Sequence, residues 1–199
     1  MDGRNRPTEL EKVYDAIIAA FIRALSFKDH DTAVHSERVA QMAVFLANEL
    51  SIPEQDIIHI RRCALLHDIG KLAIPDDILH KVEPLSEDEY LAIREHIRYA
   101  KDILEPIDFL KPAVEILYAH NERWDGRGYP DGLKGESIPM AARIISVAGV
   151  WDALRTDRPY RPEFSEEDAI QFMREERGRM FDPQVVDAFL RIIESSVQP

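Results

Sequence analysis

Apolar side chains in this chain recur three and four positions apart almost from end to end, and no segment shows the alternation of a half-buried strand. Stripes of that kind are buried only by packing helix on helix, so an all-α fold is expected. Leu10, Val13, Ile17, Ala20, Phe21 and Leu25 mark a helix over 8–27. Val39, Met42, Phe45, Leu46 and Leu50 mark another over 35–50. A third is expected from Glu54 to Ile69, ending at Gly70. Ser86 with Glu89 three residues on reads as a capping box that opens a helix to Leu104. Further helices are expected from Pro112 to His120, from Met140 to Leu154, after Ser165, and after Asp182-Pro183. With 199 residues, one core is within reach. The N-terminal helix, 1–28, is set apart from the domain over 29–199. Its pattern fits either a core element or a connector from something upstream.

One stretch breaks the periodicity. NERWDGRGYPDGLKGESIP, residues 121–139, holds four Gly and two Pro. A connection of that length is normally functional or disordered. Trp124 and Tyr129 argue for order.

Charge narrows the partners. A formal net charge of −12 argues against a nucleic-acid polymer, which needs a basic surface. It leaves room for a small phosphate ligand, because a metal or a local cationic pocket overrides the global field. No apolar stretch is long enough to span a membrane, and MDGRNRPTEL lacks an apolar signal-peptide core. Cys63 is the single cysteine, so no internal disulfide is expected, and a reducing cytoplasm is the expected location. Cys63 itself reads as core filler.

Seven histidines are present. His30, His59 and His80 stand in polar or boundary contexts and are expected at the surface. Four others differ. His35 extends the face of Val39, Met42 and Leu46, and His67 continues that of Ile57, Ile60 and Ala64 with Asp68 beside it. His96 lies on the helix opened at Ser86, and His120 ends a helix just before the Gly-rich loop. One histidine on such a face is usually a hydrogen-bonded core residue. Four with an adjoining carboxylate point to a metal, because a buried carboxylate is costly unless paired or bound to a cation. Imidazole and carboxylate together suit divalent transition metals such as Fe or Mn.

HDIGK at 67–71, ERWDGRGYPDGLKGESIP at 122–139 and DALRTDRPYR at 152–161 resemble the motifs of the HD-GYP family. These are HD-superfamily phosphohydrolases associated with hydrolysis of cyclic di-GMP. DHDTAVHSERV at 29–39 and FDPQVVDAFL at 181–190 fit the same pattern, so the likeness covers nearly the whole chain. The resemblance implies an HD-domain helical bundle of seven or more helices around a metal centre, with 29–199 as the HD-GYP domain. It implies metal ligands at His35, His67, Asp68, His96 and His120, and places Asp31 where some members hold a third ion. It gives Lys71 a phosphate-contacting, catalytic role and makes Tyr129, Arg158 and Arg161 substrate-binding. Asp152 is a candidate for protonating the leaving oxygen or holding a water. Two divalent ions about 3.5–4 Å apart can clamp a phosphodiester and activate water at neutral pH. Lys71, Arg158 and Arg161 would offset charge on the phosphoryl oxygens. The implied ligand is cyclic di-GMP or a related small phosphoester. A sensory domain, a protein partner or a homodimer is compatible with the family.

Two positions depart from the family pattern. Where the family has a second, metal-binding His after His120, this chain has Asn121, a weaker ligand for Fe or Mn. Where it has a metal-binding Asp three residues before Asp152, this chain has Gly149. By the family's arrangement one ion uses His35, His67, Asp68 and the missing Asp, and the other uses Asp68, His96, His120 and the missing His. Each ion has lost one ligand, so one or two ions remain compatible with the residues present. Gly149 also costs about 1 kcal/mol relative to Ala inside a helix. Either close packing against another backbone or loss of the ligand accounts for it. Val34 and Ala100 stand where the family tends to have Gly, and larger side chains there would crowd the site. Three functions follow from the resemblance: a cyclic di-GMP phosphodiesterase with an impaired metal site, an inactive relative that binds cyclic di-GMP or a protein, and a phosphohydrolase acting on another phosphoester.

Overall fold

The computed structural model describes residues 8–157 and 162–196. Helices α1 (Glu9–Lys28), α2 (His30–Glu49) and α3 (Glu54–Leu66) come first. A 3-10 turn, Ile69–Ala73, and the short α4 (Asp76–Leu79) lead to α5 (Glu87–Arg94), α6 (His96–Leu104) and α7 (Lys111–Tyr118). After the Gly-rich loop come α8 (Met140–Leu154), α9 (Glu166–Glu175) and α10 (Pro183–Ser196). Among the described residues there is no strand, only an isolated bridge between Arg177 and Phe181. The fold is all-α, as the periodicity requires.

Helix α2 is central and packs against α1, α3, α8 and α10. Its buried face carries Val39, Ala43 and Leu46, and small residues at Ala40 and Ala47 are buried as well. His35 lies one turn before Val39 on that face, so a histidine sits where the core pattern would continue. Ile18 and Leu25 of α1 join the same core. Val185, Val186, Ala188 and Phe189 of α10 close it from the other side.

Local chemistry sets the helix ends. Thr8 with Glu11 and Ser86 with Glu89 form capping boxes at α1 and α5, and Ser165 caps α9. Asp29 alone separates α1 from α2 and caps α2 through Thr32. The sequence pattern predicts one helix over 86–104. The structure breaks it at Glu95, whose N–H turns back to the Ala92 carbonyl, and α6 restarts at His96.

Gly70 is not the helix stop that its position suggests. Helix α3 ends earlier, at Leu66, and Gly70 lies inside the 3-10 turn. A Cβ there would stand 1.8 Å from the His96 carbonyl oxygen and 2.6 Å from the Ala100 nitrogen. The turn therefore lies backbone to backbone on α6, which only glycine permits. Ala100 faces this contact.

The 121–139 loop is ordered by its own polar groups. The buried Glu122 carboxylate accepts from the N–H of Asp131 at 2.8 Å and of Gly132 at 3.0 Å. Trp124 and Asp125 N–H donate to the carbonyls of Met180 and Arg179. A Cβ on Gly128 would lie 2.4 Å from the Glu122 Cα, so the loop folds over itself at that glycine. Beyond the loop, Arg143 reaches back to the Ile138 carbonyl and pairs with buried Asp182 at 2.6 Å, tying α8 to the start of α10.

Candidate metal centre

The five residues His35, His67, Asp68, His96 and His120 come together, and each is at most 7% exposed. They arrive from α2, the end of α3, the start of α6 and the turn after α7. Ring centroids are 5.4 Å apart for His35 and His67, 5.2 Å for His67 and His120, and 6.0 Å for His96 and His120. Ligand atoms of His35, His67 and Asp68 all lie within 4.8 Å of one another, so this group is able to hold a metal ion. All five line a cavity of about 290 Å³ together with Lys71, Asn121, Tyr129 and Gly149.

Three of these histidines are oriented in the same way. The Nδ1 of His67 donates to the Ala64 carbonyl at 2.8 Å, that of His96 to Ile93 at 2.7 Å, and that of His120 to Leu117 at 2.6 Å. A carbonyl only accepts, so each Nδ1 carries the proton and each Nε2 keeps its lone pair. His35 donates its Nδ1–H to the Asp152 carboxylate at 2.6 Å instead. Such outer hydrogen bonds are what fix the tautomer and aim of metal-binding imidazoles. The His96 Nε2 is buried with no hydrogen-bond partner.

Burial favours the neutral form of His67, His96 and His120. It pushes His67 down to about 4 and His120 down to about 3, and it lowers His96 as well. Asp68 goes the other way. Burial alone would raise its carboxyl, but Lys71 and the surrounding imidazoles outweigh burial and hold it well below the usual range. The Lys71 Nζ is 2.8 Å from Asp68 Oδ2, while Nε2 of His67 and His96 lie 3.5 and 3.7 Å from that carboxylate. A neutral His67 beside an ionised Asp68 matches the protonation states that a divalent cation requires of its ligands.

Asp152 is buried and fully engaged. Besides His35 it binds Arg38, with Nε–Oδ1 at 2.5 Å and Nη2–Oδ2 at 2.8 Å. Burial opposes ionisation there, but the hydrogen bonds from His35 and Arg38 prevail and bring its pKa to about 2. Arg38 was not expected from the sequence; its spacing, one turn after His35 on α2, was the available signal. Glu122, the loop's anchor, and Arg94, whose guanidinium lies 3.8 Å from the Tyr129 ring centroid, were likewise not foreseen. Burial raises the Tyr129 hydroxyl to about 12, so it stays a neutral donor at the cavity wall.

Asp31 is exposed in the first turn of α2 and lies outside the His35–His67–Asp68 group. It lines a neighbouring cavity of about 670 Å³ that shares His35, Lys71 and Ile93 with the first. Arg158 and Arg161 lie outside the described residues. His30 and His80 are exposed, whereas His59 is half-buried. Neither Val34 nor Ala100 is among the residues lining the centre.

Both departures from the family pattern sit at the centre. Asn121 Nδ2 lies 2.8 Å from His120 Nε2. At Gly149 an added Cβ would meet no heavy atom within 4 Å. Close backbone packing therefore does not explain this glycine.

No described helix is long and apolar enough to cross a membrane. The HD domain family model matches residues 20–185. Over 185 residues the chain is 40% identical to the cyclic di-GMP phosphodiesterase response regulator RpfG of Xanthomonas campestris pv. campestris, covering 92% of this chain and 49% of that protein. It is 38% identical over 179 residues to a 3'3'-cGAMP-specific phosphodiesterase of Vibrio cholerae, covering 90% of this chain and 39% of the relative. A cyclic di-GMP phosphodiesterase of Thermotoga maritima is 35% identical over 187 residues, covering 93% and 51%. The chain thus spans about half, or less, of the length of these curated relatives. Among solved structures, an HDG"Y"P protein from Bdellovibrio bacteriovorus superimposes with a TM-score of 0.67 at 19% identity, over 92% of this chain and 64% of that one. Fold, motifs and family match agree: the chain belongs to the HD domain family and, within it, to the HD-GYP family.

Proposed function

We propose that this chain is a metal-dependent phosphohydrolase of HD-GYP type, acting on cyclic di-GMP or a closely related cyclic dinucleotide through a metal centre with a reduced ligand set. The observation that carries this reading is the set of four buried imidazoles, each with its Nδ1 tied off, around one ionised carboxylate on a cavity wall. The activities of the relatives from Xanthomonas campestris and Vibrio cholerae support the substrate class. The donors fit Fe or Mn, held by His35, His67 and Asp68. When bound, such an ion polarises a phosphoryl oxygen and lowers the pKa of water.

The chain's own groups do the rest. Lys71 stands on Asp68 and borders both cavities, so it meets a phosphate entering from either side. Tyr129 offers a hydroxyl that stays protonated. Asp152, with a pKa of about 2, carries no proton to give at neutral pH; holding His35 in place is the role its contacts support. Arg158 and Arg161 are proposed to read the remaining phosphate charge.

The test is anaerobic turnover of cyclic di-GMP with Mn²⁺ or Fe²⁺, with the folded His67→Ala, Asp68→Ala double variant as control. Turnover lost in that control is the expected result. No turnover above the control would overturn the enzymatic reading. It would favour a second one, binding of cyclic di-GMP without hydrolysis, whose support is the Asn121 contact on His120.

A further inference from the structure

The imidazoles of this centre are not equivalent. On one side, His35, His67 and Asp68 form a compact group whose ligand atoms lie within 4.8 Å of one another. On the other side, both ring nitrogens of His120 are engaged. Its Nδ1–H is given to the Leu117 carbonyl at 2.6 Å, which leaves Nε2 as an acceptor. The Asn121 side-chain N–H₂ is the group facing that acceptor, at 2.8 Å. The opposite orientation of the amide would set a carbonyl oxygen against a lone pair, so the ring's tautomer fixes which way the amide points. An imidazole lone pair that accepts an N–H is not available to a cation. Of the positions that the family resemblance assigns to the ion on this side, the His96 Nε2, buried and unpartnered, and the Asp68 Oδ1, 3.7 Å from it, remain.

We infer that this chain holds one tightly bound divalent ion, at His35, His67 and Asp68, and that Asn121 closes the second position by occupying the lone pair of His120. This deepens the metal-centre reading above and rests on it. Asn121 is then more than a weak replacement ligand. It satisfies a buried nitrogen that would otherwise need an ion or a water, so the core stays stable with that position unused. His96 keeps its orientation from the Ile93 carbonyl and serves as part of the cavity wall.

The competing arrangement is a turned amide. Asn121 would then offer its carbonyl oxygen and release His120, giving a second ion Asp68, His96, His120 and Asn121. Metal counting separates the two without reference to turnover. The full chain is stripped with chelator, reloaded anaerobically with Mn²⁺ and desalted. Bound manganese is then counted by mass spectrometry and its coupling read by low-temperature EPR. One ion per chain with an uncoupled six-line spectrum is expected. Asn121→His is expected to raise the count to two and bring in an exchange-coupled signal, whereas Asn121→Ala stays at one. His35→Ala is expected to weaken retention of the single ion at least tenfold, and His96→Ala to leave it, circular dichroism confirming folded protein throughout. Two coupled ions in the unaltered chain would overturn the inference while sparing the metal-centre reading. So would equal loss of the ion in His35→Ala and His96→Ala. No retained ion in folded protein would overturn both.

Discussion

At the scale of the residue, the centre depends on hydrogen bonds made on the side of each ring away from the cavity. His67, His96 and His120 each use the carbonyl three residues back, in the last turn of a helix, where carbonyls lack the regular partner four residues on. His35 lies mid-helix, where no such carbonyl is free, and takes Asp152 instead. Asp152→Ala is therefore expected to weaken Mn²⁺ binding about 10–100-fold, measured by titration calorimetry, while leaving the helix content unchanged. Burial also makes the metal-free protein acid-sensitive. His67 and His120 titrate near 4 and 3 when folded but near 6.5 when unfolded, so the unfolded chain takes up protons first as the pH falls. Their contribution is complete above pH 6.5 and is lost progressively down to about pH 4 and below. Urea denaturation of the apo-protein should show stability falling by roughly 1.4 kcal/mol per pH unit for each histidine over that window. His120→Asn should flatten the slope.

At the scale of the element, two glycines with opposite needs sit at the same centre. Gly70 has the His96 carbonyl and the Ala100 nitrogen where a Cβ would go. Backbone atoms yield less than side chains, so Gly70→Ala is expected to cost about 3 kcal/mol or more and to disturb His96. Gly149 has open space in the same test, inside α8. Gly149→Ala is expected to gain up to about 1 kcal/mol from helix propensity alone. Thermal melts of the two variants, shifted in opposite directions, would check both statements. The sequence makes α8 and the Ser86–Glu89 capping box readable because spacing and cap chemistry are local. It does not reveal the break at Glu95 or the true reason for Gly70, since both are set by what α6 lies against.

At the scale of the whole molecule, the all-α class was legible because the apolar period runs through the chain, and His35, His67 and Asp68 were legible because polar groups interrupt apolar faces. His96 and His120 were singled out with them by their places on a helix and at a helix end, before the family resemblance named the same five residues. What stayed hidden was long-range. Arg38 meets Asp152 across 114 positions, and its place one turn after His35 marks the helix face but not the distant partner. The sequence marks Asn121 as a departure from the family pattern but not its contact with His120 Nε2, because that contact depends on the tautomer set by Leu117. The empty volume at Gly149 carries a consequence of its own. A place where a carboxylate side chain is absent, beside a cluster able to hold a cation, is the shape on which chemical rescue works. Formate is expected to fill it and strengthen Mn²⁺ retention in a saturable way, and to lose that effect in Gly149→Asp, where the chain supplies the carboxylate itself. The protein's affinity for its ion would then follow the small anions in its surroundings.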